Sequence, residues 1–177
     1  GRLLIVPRVE AVAVPPLSLP ESAAARTWDA RRRLVPPERL HRGDASSRFW
    51  GPTAGPVVRP YGQPVRGLAD PGIAIRVPAG TEVCAVATGT VIAIVGADGK
   101  GVSAWGRSLA VAHGDGYVSW YGHLNTVLVR KGQKVRKGQA IAEMGSSGRS
   151  TGAHVHYEVF KHGRSVDPSS YVHRTRR

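Results

Sequence analysis

The residues most able to do chemistry are His154 and His156, one residue apart in the run His154-Val155-His156-Tyr157-Glu158. In a β-strand, positions i and i+2 project from the same face, about 6 to 7 Å apart. Two imidazoles so placed can converge on one point, one as a metal ligand and the other as a proton shuttle or hydrogen-bond donor. His123 closes a second apolar run, Tyr117 to His123, and cross-strand pairing would bring it alongside. A single His-x-His is equally well explained as two ordinary strand histidines, so its meaning depends on its surroundings. His113, in Ala112-His113-Gly114-Asp115-Gly116, reads as a structural turn residue, and His41 lies in a polar loop with no reactive partner near it in sequence.

The elements that must hold these histidines are short. From about Phe49 onward, runs rich in Val, Ile and Ala recur with glycine turns between them. Thr81 to Val86, Gly89 to Val95, Ser108 to His113, Tyr117 to His123, Ala140 to Met144 and His154 to Phe160 all read as strands. Gly114-Asp115-Gly116 predicts a hairpin, and Asp98-Gly99 a tight turn. No helical periodicity of useful length follows residue 50. Strands this short and this regularly spaced predict an all-β, antiparallel sandwich or open barrel.

Composition narrows the function classes. The 177 residues leave room for one domain of usual size and some excess. No apolar run approaches the roughly 18 residues of a membrane-spanning helix. One cysteine, Cys84, makes neither an internal disulfide nor a cysteine-based metal cluster, and its Val83-Cys84-Ala85-Val86 setting predicts packing as a small hydrophobe. The excess length lies in residues 1–50, an arm rich in Arg and Pro, with one expected helix over 21–34. Residues 51–172 form the expected domain and 173–177 a basic tail. The formal net charge is +13, with +4 in residues 1–50, +5 in 51–160 and +4 in 161–177. Such a surface favours anionic partners: nucleic acid through the basic arms, anionic lipid, or an acidic wall polymer.

The words around the histidines carry more than the histidines do. Tyr121-Gly122-His123-Leu124, Val135-x-x-Gly138-Gln139-x-Ile141-Ala142, Met144-Gly145-Ser146-Ser147-Gly148, His154-x-His156-Tyr157-Glu158 and Val166-Asp167-Pro168-x-x-Tyr171 follow in one order at short spacings. In this the chain resembles the LytM or lysostaphin-like zinc metallopeptidases, which cut peptide cross-links in bacterial cell walls, from about Gly51 to Val172. The resemblance implies a two-sheet antiparallel LytM-type fold with a zinc groove. It also implies three zinc ligands: the His and Asp of a His-x-x-x-Asp motif, and the second histidine of His-x-His. Here the first motif reads Asp70-Pro71-Gly72-Ile73-Ala74, followed by the expected Ile75 and Pro78-x-Gly80-Thr81. Asp70 stands where the family has His, and Ala74 where it has Asp. His156 keeps the third ligand position, while His123 and His154 match the two histidines that do not bind metal. Tyr121, His123, His154 and His156 are expected to line the groove.

Alanine has no lone pair to give. Structural zinc sites contribute about 10–16 kcal/mol over four ligands, so each ligand is worth roughly 3–4 kcal/mol. The expectation is therefore a domain without zinc and without the family's hydrolytic chemistry, acting by binding. The resemblance implies a scaffold or activator of cell-wall amidases in the bacterial envelope or periplasm, with a protein partner and peptidoglycan nearby. A second reading is a structural subunit of a large assembly, organellar after loss of a targeting segment, or ribonucleoprotein. A third is an active zinc endopeptidase with substituted ligands. Val129 to Met144 also resembles the half-repeat of biotinyl and lipoyl carrier domains, but Gly145 follows Met144 and no modifiable lysine stands there. Its basic cluster (Arg130, Lys131, Lys134, Arg136 and Lys137) reads as a solvated loop face.

Overall fold

Glycine and proline break the apolar runs into strands, and antiparallel pairing joins them. A computed structural model describes residues 51–65, 67–96 and 104–172. The expected arm over 1–50 with its helix, the Asp98-Gly99 turn and the tail 173–177 lie outside the described residues. Among the described residues twelve strands follow in chain order: β1 Val57–Arg59, β2 Pro64–Val65, β3 Leu68–Ala69, β4 Ile73–Ile75, β5 Glu82–Cys84, β6 Gly89–Val95, β7 Arg107–Ala112, β8 Tyr117–Val127, β9 Lys134–Val135, β10 Ala140–Met144, β11 Val155–Lys161 and β12 Arg164–Val166. β6 and β10 have the boundaries the sequence predicts. A 3-10 turn, Pro168–Tyr171, is capped by Asp167, whose carboxylate accepts from the Ser169 N–H at 2.8 Å.

Every pairing between these strands is antiparallel. The main sheet runs β1-β4-β11-β8-β7-β6-β9, with β12 on β11. β10 pairs with both β5 and β8, so the sheet branches and folds over on itself, as an open barrel does. β2 and β3 form a separate ribbon. The principal core lies inside this fold and includes Ile73, Ile75, Leu109, Tyr121, Met144 and Tyr157. A smaller cluster of Ala93, Ala110, Val118, Trp120 and Phe160 covers the other face. Period-two alternation explains the division: Val111 and Tyr121 point one way, Ala110 and Trp120 the other.

Cys84 departs from expectation. Alternation along β5 turns Val83 fully inward and leaves Glu82 exposed and Cys84 half-buried. Partial burial, with the nearby Glu82 carboxylate, raises its thiol pKa.

Candidate functional site

Register builds the site before any side chain is considered. Arg59 of β1 pairs with Ala74 of β4, Ala74 pairs with His156 of β11, and His156 pairs with Gly122 of β8. Residues directly opposite one another share a face of the sheet. The four therefore form one row across four adjacent strands, with His156 between the two smallest members.

His156 is fully buried. Its Nε2–H donates to Glu158 Oε1 at 2.7 Å, two residues along the same strand. That bond fixes the tautomer and leaves Nδ1 without a hydrogen-bond partner, 3.7 Å from Asp70 Oδ1. Asp70 is committed elsewhere: Oδ1 accepts from the Gly72 N–H at 3.0 Å, and Oδ2 accepts from Arg59 Nη1 at 3.0 Å. The Asp70 side chain is fully buried, while that of Arg59 is 27% exposed. Ala74 contributes only a methyl group, and Arg59 stands opposite it on β1. Gly72 is required by close approach: a Cβ there would lie 2.6 Å from the Tyr157 carbonyl oxygen and 2.8 Å from His156 Cε1. The Trp105 ring stacks on the His156 ring, centroids 3.8 Å apart and planes 23° apart.

His123 stands in a bulge of β8 with φ at 61°, a left-handed conformation rare for a residue with a side chain. Two bonds hold it there. Its N–H donates to the Trp105 carbonyl at 2.8 Å, and its Nδ1 lies 2.7 Å from the Ser147 carbonyl. A carbonyl only accepts, so Nδ1 carries the proton and Nε2 presents a lone pair. Ser147 is itself fixed, donating to the Leu124 carbonyl and accepting from the Arg107 N–H. His154 repeats the arrangement: Nδ1–H donates to the Gly152 carbonyl at 2.8 Å, and its buried Nε2 has no hydrogen-bond partner. The rings of His123 and His154 are 4.6 Å apart, and those of His123 and His156 are 6.3 Å apart. Burial pushes the His123 pKa down to about 4, against the opposing pull of the Ser147 carbonyl. His154 is also lowered, burial again the largest cause. Arg59 adds to both shifts, so its charge is felt across the cluster. Both rings are neutral near pH 7.

The structure thus brings His123, His154, His156, Asp70 and Ala74 together. It does not place Tyr121 in the groove. Tyr121 is wholly buried in the core, its ring 5.6 Å from that of Tyr157 and its hydroxyl accepting from the Val86 N–H at 3.2 Å. It belongs to the inward face of β8 together with Leu124, and the bulge between them sets His123 off that face. His113 is a core support as expected, bonded to the Thr88 carbonyl and to Ser119 Oγ, with burial lowering its pKa to about 4.

Sequence reasoning missed Arg59, the bond made by Glu158, Trp105 and the Ser147 carbonyl. Glu158 carried a signal, since it lies two residues from His156 on the same strand face. Arg59 and Trp105 carried none, because their roles come from register and from a loop.

A zinc centre of the expected kind needs about three protein donors and an open position. His156 Nδ1 meets the requirement, with Glu158 behind it as the outer-shell carboxylate that metal-binding histidines use. Ala74 offers a methyl group, and the Asp70 carboxylate is already neutralised by Arg59 and bonded to Gly72. Among the described residues no group of three His, Cys, Asp or Glu is placed to hold a metal. The residues present do not fit a three-ligand zinc centre.

A model of Peptidase family M23 matches residues 69–168, more than half of the chain and all three histidines of the site. The chain belongs to peptidase family M23. Among M23 relatives, it is 36% identical over 132 residues to a "Lipoprotein NlpD/LppB homolog" of Pseudomonas aeruginosa, covering 75% of this chain and 42% of that protein. It is 37% identical over 127 residues to the "Murein hydrolase activator EnvC" of Escherichia coli, covering 71% of this chain and 29% of that protein. The chain therefore spans less than half the length of these curated relatives. Among solved structures, a zinc-containing peptidase from Vibrio cholerae superposes with a TM-score of 0.61 at 33% identity, covering 68% of this chain and 39% of that one. The M23 fold is thus kept, with an all-β antiparallel architecture of the LytM type.

Proposed function

We propose that this M23 domain acts by binding a cell-wall hydrolase, an amidase of the bacterial envelope, and raising that enzyme's activity, without cutting peptidoglycan itself. One observation carries the non-hydrolytic part: Asp70, at a family ligand position, is bonded to Arg59, while Ala74 replaces a second ligand. Without a bound metal there is no Lewis acid or activated water for the family reaction. Two curated relatives whose names call them murein hydrolase activators, NlpD and EnvC of Escherichia coli, support the partner class. The lipoprotein name of another relative supports an envelope location.

In this reading the site is a recognition surface. His123 and His154 are themselves buried, and their neutral, hydrogen-bonded rings form the rigid floor of that surface. Arg59 keeps a cationic edge beside them. Trp105 and Glu158 hold His156 rigid beneath. The domain boundaries that accompany the proposal are 51–172 for the binding module, with 1–50 and 173–177 as basic extensions.

The test is retention of a purified cell-wall amidase by the immobilised chain, followed by measurement of that amidase's rate. Binding with a rate increase is expected, and substitution of His123 and His154 by Ala should weaken both. An amidase that neither binds nor accelerates contradicts the activator role.

A further inference from the structure

The pentapeptide Val-Arg-Lys-Gly-Gln occurs twice without change, at 129–133 and at 135–139. The two copies fold alike. In the first, the Gln133 N–H donates to the Arg130 carbonyl at 3.1 Å and the Gln133 side chain accepts from the Arg130 N–H at 3.1 Å. In the second, the Gln139 N–H donates to the Arg136 carbonyl at 3.0 Å and the Gln139 side chain accepts from the Arg136 N–H at 3.0 Å. Gly132 and Gly138 supply the positive φ (84° and 77°) that the third position of each turn demands. Each glycine N–H is also tied to the body of the fold, Gly132 to the Val91 carbonyl and Gly138 to the Ala85 carbonyl.

Two locked turns flank β9 and display Arg130, Lys131, Lys134, Arg136 and Lys137 within eight residues. Among the described residues, Arg130, Lys131, Lys134 and Arg136 make no ion pair. No acid interrupts the run, and the next acidic residue along the chain is Glu143. Leu128 precedes the first turn by two residues. It is 49% exposed, one of five large hydrophobic side chains so exposed among the described residues. Burial alternates there: Leu128 and Arg130 are exposed, and Val129 between them packs on the core.

The patch is separate from the histidine site. β9 ends the main sheet path at the edge opposite β1, where Arg59 stands. β10 leads from the second turn toward Ser147, which holds His123, and its five residues rise about 3.4 Å each. The two clusters therefore stand apart in the fold.

We infer that this twin-turn face is a docking surface for an anionic phospholipid membrane, one that holds the domain against lipid. Clustered cations beside an exposed leucine match the chemistry of a bilayer surface, with anionic phosphates outside and apolar chains beneath. A soluble polyanion would use the cations and gain nothing from Leu128. Rigid turns lower the entropy that flexible lysine-rich loops lose on binding. The inference does not depend on how the histidine site works.

The experiment is flotation of the full chain with phosphatidylcholine vesicles containing about one third phosphatidylglycerol, against pure phosphatidylcholine vesicles, at roughly 0.1 M salt. Binding to the anionic vesicles only is expected. Each cation near an anionic surface is worth about fivefold in partition. The variant R130Q/K131Q/K134Q/R136Q should lose at least twentyfold, and Leu128→Ser should lose several-fold at every salt concentration. The arm variant R31Q/R32Q/R33Q should lose less than the turn variant. Urea midpoints equal to that of the native chain show that the variants fold. The inference is overturned if the turn variant floats like the native chain. It is equally overturned if Leu128→Ser changes nothing while the same cations govern binding to a soluble polyanion such as DNA.

Discussion

Arg59 decides whether Asp70 is available to a metal, and its hold on Asp70 is measurable. The perturbation is a double-mutant cycle of Arg59→Met, Asp70→Asn and the pair together. Methionine keeps most of the stem volume without charge, and asparagine keeps an oxygen for the Gly72 N–H. A hydrogen bond between charged groups is worth about 1.5–3 kcal/mol net. Arg59 is 27% exposed, so solvent screens part of that. A coupling of about 1–2 kcal/mol is the resulting expectation. Arg59→Met alone should cost more, about 2–3 kcal/mol, because it leaves a fully buried carboxylate facing His156 without its cation. Asp70→Asn alone should cost less, since the guanidinium it releases can turn toward water. The assay is urea unfolding of the four proteins at pH 7, compared at constant slope. A coupling within about 0.3 kcal/mol of zero is additivity. It would refute the reasoning, since Asp70 would then not be held by Arg59 and would be open to a ligand role.

Other substitutions probe the same frame. Gly72→Ala should destabilise by about 1–3 kcal/mol through overpacking against β11, and should shift the His156 ring resonances in an NMR spectrum. Acid should weaken the fold through His113 and His123, whose pKa values near 4 lie below the unfolded value of 6.5. The unfolded chain then binds protons first, so their stability contribution is complete above about pH 6.5 and falls as pH drops toward 4, by about 2 kcal/mol each at pH 5. Urea midpoints at pH 7 and pH 5 check this, and His113→Gln should flatten part of the slope. The double substitution D70H/A74D restores the two family ligands and should raise zinc affinity by roughly 10⁴- to 10⁶-fold, from about 3–4 kcal/mol per ligand. Competition with a chromophoric chelator reads that gain.

Much of the fold was legible because strand signals are local. The glycine-bounded runs of β6 and β10, and the hairpin between β7 and β8, follow from alternation and turn residues alone. The curl of the sheet was less so, since β10 pairs with both β5 and β8 through long-range register that no local pattern encodes. The histidines were legible as a group for the same local reason, His154 standing just before β11 and His156 within it. Tyr121 was misplaced because the bulge sets His123 off the inward face that Tyr121 shares with Leu124, and a left-handed histidine leaves no mark in sequence. The substitutions at Asp70 and Ala74 were visible, but what fills their place was not. Arg59 arrives opposite Ala74 only through the β1–β4 pairing, from a strand of three residues.

The most direct test of the central claim is release of soluble wall fragments from purified peptidoglycan by the chain at one equivalent of added zinc, with and without a purified amidase. No fragments from the chain alone, and faster amidase release in its presence, are the predicted results. Cleavage of peptide cross-links by the chain alone, abolished by a chelator, would contradict it.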